Sequence, residues 1–208
     1  MDVDGSVMVI TGASSGIGAA TLPGAVTRRT DVTERADLDA LLAAALQAHG
    51  RVDVLVNNAG QGLHVPLEEV SAEDLRAVLE LNVVAALGAM QAVLPAMRAA
   101  GRGAIVNVSS GTTRMVLPGV GAYAASKSAL NMLSAVARKE FAADGVVVST
   151  VYPGVTATEF HDVLRAGELH PSRRGGGDPP EKVADVILGL VESGEPEAFL
   201  VPAHAPAR

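Results

Sequence analysis

Val7-Met8-Val9-Ile10-Thr11-Gly12-Ala13-Ser14-Ser15-Gly16-Ile17-Gly18 is the stretch that decides how the rest of the chain is read. The short apolar run Val7–Ile10 reads as a buried strand, and Thr11-Gly12 turns the chain at its end. The spaced glycines that follow let the backbone bend sharply and approach a phosphate. Free N–H groups at the start of the next helix suit the phosphate charge. The same pattern also describes a plain tight turn, and its T-G-x-x-x-G-x-G spacing differs from the G-x-G-x-x-G of dinucleotide folds in general.

Outward from this loop, apolar strands alternate with amphipathic helices. A helix is expected from about Glu34 to His49, with Thr33 as N-cap and Leu38, Leu41, Leu42, Ala45 and Leu46 on one face. Val52–Val56 reads as a second strand. Ser71 then caps a long helix carrying Leu75, Val78, Leu79, Asn82, Val83 and Ala86 along one stripe. A third strand at Ala104–Val108 precedes a helix over Tyr123–Ala143, and a fourth at Val146–Val151 stops at Pro153-Gly154. Asp178-Pro179-Pro180-Glu181 opens a last helix, with Asp178 as N-cap, whose apolar face is Val183, Val186, Ile187, Leu190 and Val191. Gly194 suits its C-terminal cap, and Ala198–Val201 is a final short strand. This alternation predicts an α/β protein: a parallel sheet covered by helices on both faces. Gly167–Pro180, with its run Gly175-Gly176-Gly177, is expected to be a mobile surface loop.

Composition narrows the partners. The 208 residues fit a single α/β domain, 49% are hydrophobic and 2% aromatic, so Ala, Val and Leu must fill the core. The formal charge is −7, and the basic pairs Arg28-Arg29 and Arg173-Arg174 are isolated, which argues against nucleic acid. Without cysteine there is neither a disulfide framework nor a thiolate metal site. No apolar run reaches the roughly 18–20 residues of a membrane span. Met1-Asp2-Val3-Asp4 lacks the basic region of a secretory signal. The expectation is a cytoplasmic protein with no membrane partner. His49, His64, His161, His170 and His204 show no metal-ligand spacing and are expected on surfaces or loops, so no metal is expected.

Three positions carry chemistry. Tyr123 and Lys127 in Tyr123-Ala124-Ala125-Ser126-Lys127 share a helix face, one turn apart. A phenol near its ordinary pKa of about 10 is a poor acid–base group at neutral pH, and a nearby ammonium favours its phenolate. Taken alone, the pair equally describes an amphipathic helix with a snorkelling Lys and a half-buried Tyr. Ser109-Ser110 closes a strand at the sheet edge where open α/β sheets bind ligands, though a Ser pair can simply open a loop. Asn82 lies on an apolar stripe, where an unpaired amide costs about 1–3 kcal/mol, so it is a satisfied structural amide or an active-site one.

In order and spacing, Thr11–Gly18, Asn57-Asn58-Ala59-Gly60, Asn82, Ile105-Val106-Asn107-Val108-Ser109-Ser110, Tyr123/Lys127 and Pro153-Gly154-Val155-Thr156-Ala157-Thr158 resemble the classical short-chain dehydrogenase/reductase family. The resemblance implies a three-layer, Rossmann-like, doubly wound parallel sheet in one domain over 1–208, with a substrate lid over 158–180. It also implies an oxidoreductase that transfers a hydride between NAD or NADP and a small-molecule alcohol or carbonyl compound. Tyr123 would be the acid–base group. Lys127 would hold the nicotinamide ribose and lower the Tyr123 pKa, Ser110 would bind the substrate oxygen, and Asn82 would anchor a relay water. Cofactor contacts would come from Gly12, Ser14, Ser15, Gly16, Ile17 and Gly18 at the phosphates. Asp31-Val32 would meet the adenine, and Asn57, Asn58, Ala59 and Gly60 the adenosine side. Pro153, Gly154, Thr156 and Thr158 would line the nicotinamide side, where Tyr123 and Lys127 also touch the cofactor. Glu159 and His161 lie just past Thr158, within reach of a substrate.

The chain departs from that family after Gly18. Only Ala19–Thr30 separates the glycines from Asp31, so about one β-α unit near the N-terminus is absent. Ala19-Ala20-Thr21-Leu22 is what remains of the first helix before Pro23-Gly24. Ala25-Val26-Thr27-Arg28-Arg29 reads either as the stub of a second strand or as the run-up to Thr30-Asp31. As a strand stub its basic end leans toward NADP. The exposed sheet edge predicts weak cofactor binding, low stability, or a homodimer or homotetramer that covers the gap. The alternative function is a non-catalytic relic of the family acting as a binding or scaffold protein.

Overall fold

The computed structural model describes residues 1–168 and 176–200. Loop positions 169–175, with His170 and Arg173-Arg174, and positions 201–208, with Val201 and His204, lie outside the described residues. Five parallel strands form one sheet in the order β1 (Met8–Ile10), β2 (Val54–Asn57), β3 (Gly103–Val108), β4 (Val146–Tyr152) and β5 (Glu197–Phe199). Their registers include Val9↔Leu55, Leu55↔Ile105 and Ile105↔Val148.

Alternation within each strand sorts the core into two layers. Val9, Leu55, Ile105 and Val148 point to one face, against Leu38 and Leu42 of α2 (Arg35–His49), Met90, Val93 and Met97 of α4 (Ala85–Ala100), and Ala137 of α5 (Gly121–Glu140). Val54, Val56, Val106 and Val151 point to the other face, against Val183, Ile187 and Leu190 of α6 (Pro180–Ser193). Ile17 of α1 (Gly16–Thr21) joins that second layer. The three-layer, Rossmann-like architecture follows the sequence reading.

The start of the sheet is tied down by a buried carboxylate. Asp53 Oδ2 accepts from the Val7 N–H and from Arg51 Nε, each at 2.8 Å. Those bonds satisfy a charge that would otherwise be costly to bury.

Two features go beyond the sequence reading. Between β1 and β2 the chain supplies α1 and α2 but no strand, and Ala25–Arg29 is not a strand stub. The strand order therefore runs without reversal, and among the described residues β1 pairs with β2 alone. The long helix expected after Ser71 is instead α3 (Ala72–Leu79), a π-turn at Glu80–Val84, and α4. Together they form 29 continuous helical residues, Ala72–Ala100, long and apolar enough to cross a membrane by length and composition alone. Its buried Met90, Val93 and Met97 face the sheet, as in a core helix.

Smaller differences concern helix starts. Asp31 Oδ1 accepts from the Thr33 N–H and hydroxyl, leaving Glu34 as the N-cap of α2. Pro179, not Asp178, precedes α6, and Asp178 pairs with Lys182 at 2.7 Å. The described end of the expected mobile loop is fastened: Ala157 donates to Asp178 O and Asp178 donates to Val155 O, both at 2.9 Å.

Candidate active site

A cavity of about 520 Å³ opens at the carboxyl ends of β1 to β4, a volume typical of small-molecule sites. Its first wall is the glycine loop. Gly12 and Gly16 have φ of +65° and +52°, a region that side-chain-bearing residues rarely adopt. A Cβ on Gly12 would stand 2.9 Å from Ala59 Cα, and one on Gly16 3.0 Å from Thr158 Cγ2. Backbone thus borders the cavity where side chains cannot fit. Gly18 lies behind the loop, where a Cβ would meet Gly12 O at 2.4 Å.

The loop is locked to the turn after β2. Thr11 Oγ1 accepts from the N–H groups of Asn58 and Ala59 at 3.1 and 3.0 Å, and Asn58 Nδ2 donates to Thr11 O and Gly12 O at 3.0 Å. Asn58, Ala59 and Gly60 line the cavity, but Asn57 does not. Asn57 is buried and donates to Asn107 Oδ1 at 2.8 Å, and Asn107 donates in turn to Ser134. That network joins β2, β3 and α5, a structural role in place of the expected adenosine contact.

At the far wall, Tyr123 in the first turn of α5 shares a hydrogen bond with Ser110 at the end of β3. Thr112 holds Ser110 in turn, donating to its Oγ from the N–H and the hydroxyl. Ser109 also lines the cavity, and its hydroxyl donates to Asn131 of α5. Lys127 Nζ donates to Val108 O at 2.9 Å.

Burial pushes the Tyr123 phenol up to about 12, while the Ser110 hydrogen bond pulls it down. Burial also pushes the Lys127 ammonium down to about 8. Lys127 was expected to lower the phenol. Here the loss of water around both groups sets the direction of each shift.

Asn82 sits in the π-turn, 1% exposed, a kind of helix irregularity often found at functional sites. Its Oδ1 accepts from Gln61 N, and its Nδ2 donates to Gln61 O and Ser126 Oγ. A Cβ on Gly60 would stand 3.0 Å from Asn82 Oδ1 and 3.2 Å from Lys127 Nζ, so both groups crowd the same glycine.

The remaining wall pairs two distant segments. His64 donates from its N–H to Ala166 O, Arg165 donates to Gly62 O, and Gln61 Nε2 donates to Val163 O. This brings His64, Phe160 and His161 beside Tyr123, with the His64 and Phe160 ring centroids 6.1 and 5.9 Å from that of Tyr123. Met115, Leu117, Val120 and Val163 make this side apolar. His64 and these apolar residues were not singled out by sequence. They belong to loops without periodicity, and their partners lie far along the chain.

Most of the expected site residues meet in this one cavity. Gly12, Ser14, Ser15, Gly16 and Ile17 line it together with Ser110, Tyr123, Lys127, Pro153, Gly154, Thr156, Thr158, Glu159 and His161. Asp31 and Val32 are not brought to it. Asp31 is exposed and bonded to Thr33, and Val32 packs on the α2 face of the core. Arg28 and Arg29 are exposed as well. The residues present therefore fit a nicotinamide, its ribose and the adjoining phosphate. On the adenosine side Asn58, Ala59 and Gly60 line the cavity, while Asp31 and Val32 give no adenine contact.

Comparison with known proteins gives a consistent picture. A family model described as short chain dehydrogenase matches residues 22–169. A 3-oxoacyl-[acyl-carrier-protein] reductase of Thermotoga maritima is 34% identical over 225 aligned positions, covering 91% of this chain and 92% of its own. That span exceeds the 208 residues of the chain, so the alignment bridges gaps in it. A short-chain dehydrogenase of Streptomyces avermitilis superposes with a TM-score of 0.82 at 32% identity, over 94% of this chain and 88% of its own. One from Burkholderia phymatum, solved in complex with NAD, gives 0.86 at 27% identity, over 96% and 90%.

Proposed function

Because the chain belongs to the short chain dehydrogenase family, we propose that Tyr123, Ser110, Lys127 and Asn82 carry its chemistry on an alcohol or carbonyl substrate. The protein is an NAD(P)-dependent oxidoreductase. One observation carries the assignment of roles: the hydrogen-bonded Tyr123–Ser110 pair stands in the same cavity as the side-chain-free backbone of Gly12 and Gly16.

A nicotinamide cofactor, when bound, would supply or accept a hydride at its C4. Its ring would rest against Pro153, Gly154 and Thr156, with the ribose near Lys127 and the phosphate near Gly12, Ser14, Ser15, Gly16 and Ile17. The Ser110 hydroxyl binds the substrate oxygen and holds it toward Tyr123. As a neutral phenol, Tyr123 donates its proton to a carbonyl oxygen during reduction. Its phenolate accepts the alcohol proton during oxidation. The Lys127 ammonium stabilises that phenolate across the buried site. Asn82 Oδ1 has one lone pair beyond its bond from Gln61, and this holds the water that returns the proton.

The apolar wall of Met115, Leu117, Val120 and Val163 suits a carbonyl compound with an apolar substituent. The 3-oxoacyl group named for the Thermotoga maritima relative is of that kind. The lean toward NADP rested on Arg28 and Arg29, which do not line the cavity, so the cofactor reading stays with the nicotinamide. We further propose one domain over 1–208, a cytoplasmic location, and a homodimer or homotetramer.

Titration of the purified protein with NADH and NADPH, followed by nucleotide fluorescence, tests this reading. Saturable binding is expected, with turnover on a panel of aldehydes, ketones and 3-oxoacyl thioesters. Absence of binding at millimolar nucleotide would overturn it.

A further inference from the structure

We infer that the site is built for a nicotinamide mononucleotide, and that the adenosine half of a dinucleotide adds little to binding. This rests on the nicotinamide reading above. A dinucleotide fold consists of two mononucleotide-binding halves, and its ligand crosses the point where the strand order reverses. Here the order runs β1-β2-β3-β4-β5 without reversal. Among the described residues only the half that follows β1 is present, and β1 has no strand on its other side.

The cavity agrees with that topology. No residue between Gly18 and Asn57 lines it. The segment that follows α1, where an adenosine wall would have to come from, carries a fully exposed Val26 and an exposed Arg28-Arg29. Asp31, the expected adenine contact, is engaged at the start of α2. Its carboxylate accepts from Thr33 at 3.0 and 2.7 Å, and its own N–H donates to Asp37 Oδ2 at 2.9 Å. An adenosine joined to a seated nicotinamide nucleotide would therefore extend past the edge of β1 into water. It would bury little apolar area there and meet no residue able to distinguish a ribose 2′-hydroxyl from a 2′-phosphate.

The test compares reduced nicotinamide mononucleotide, NADH and NADPH on the full chain by fluorescence titration, with calorimetry as a second readout. All three are expected to bind within about tenfold of one another. Adenosine 5′-monophosphate at millimolar concentration should leave bound NADH in place. The double variant Arg28→Ala/Arg29→Ala should keep its NADPH affinity. If NADH binds more than about tenfold tighter than the mononucleotide, or if the double variant loses NADPH, the inference falls while the oxidoreductase reading stands. If none of the three nucleotides binds, that reading falls with it.

Discussion

Lys127 directs its ammonium at the carbonyl oxygen of Val108, 2.9 Å away, and not at Tyr123 one helical turn before it. The two residues share a face of α5, yet each answers to a different neighbour: Tyr123 to Ser110, Lys127 to the end of β3. Burial comes first in the protonation of both, followed for Tyr123 by its bond with Ser110.

The phenol of Tyr123 is held up to about 12 by burial and restrained by Ser110. Ser110→Ala removes the restraint, so ultraviolet titration should find the Tyr123 transition at higher pH than in the parent. Loss of one hydrogen bond to a reacting group should also lower turnover by about tenfold. A transition at unchanged pH would show that the Ser110 contact does not act on the phenol.

Tyr123→Phe removes the acid–base hydroxyl and keeps the ring that packs near His64 and Phe160. Turnover should fall by about 10²- to 10⁴-fold, with NADH affinity nearly unchanged. Parallel loss of affinity would assign Tyr123 to cofactor binding instead.

Burial lowers Lys127 from 10.5 to about 8. Between those values the unfolded chain binds more protons than the folded one, so stability rises with pH across that window. Below about pH 8 the full cost of burying the charge is present. Tyr123 acts oppositely, its contribution being lost as pH climbs from 10 toward 12. The unfolding free energy from urea titration should therefore increase from pH 8 to 10, by an amount on the order of 2 kcal/mol. Lys127→Met should flatten this rise. A rise that survives in the variant would place the titrating group elsewhere.

Thr11→Val keeps the shape of a side chain that is 5% exposed and deletes the hydroxyl oxygen that accepts from Asn58 and Ala59. Leaving those N–H groups without their acceptor should cost about 1–3 kcal/mol in urea unfolding. Nicotinamide nucleotide binding should weaken too, because the same bonds fix the glycine loop against Asn58. A variant as stable as the parent would show that water replaces the hydroxyl.

Elements whose signal is local were legible in the chain itself. The 3.6-residue spacing puts Tyr123 and Lys127 on one helix face, and apolar runs mark the strands on which Ser110 and the glycine loop end. The shortening after Gly18 could be read by counting residues. Tertiary structure decided which partners those residues take, because each choice is made across the sheet. It sent Asn57 into the core while its neighbour Asn58 faces the cavity, as side chains alternate along a strand and its end. It also brought His64 to Tyr123 by pairing two loops about a hundred residues apart. Counting residues could show that a segment is missing after Gly18. Only the packing shows the consequence: β1 becomes an edge strand, and Asp31 is used at a helix start, away from any ligand.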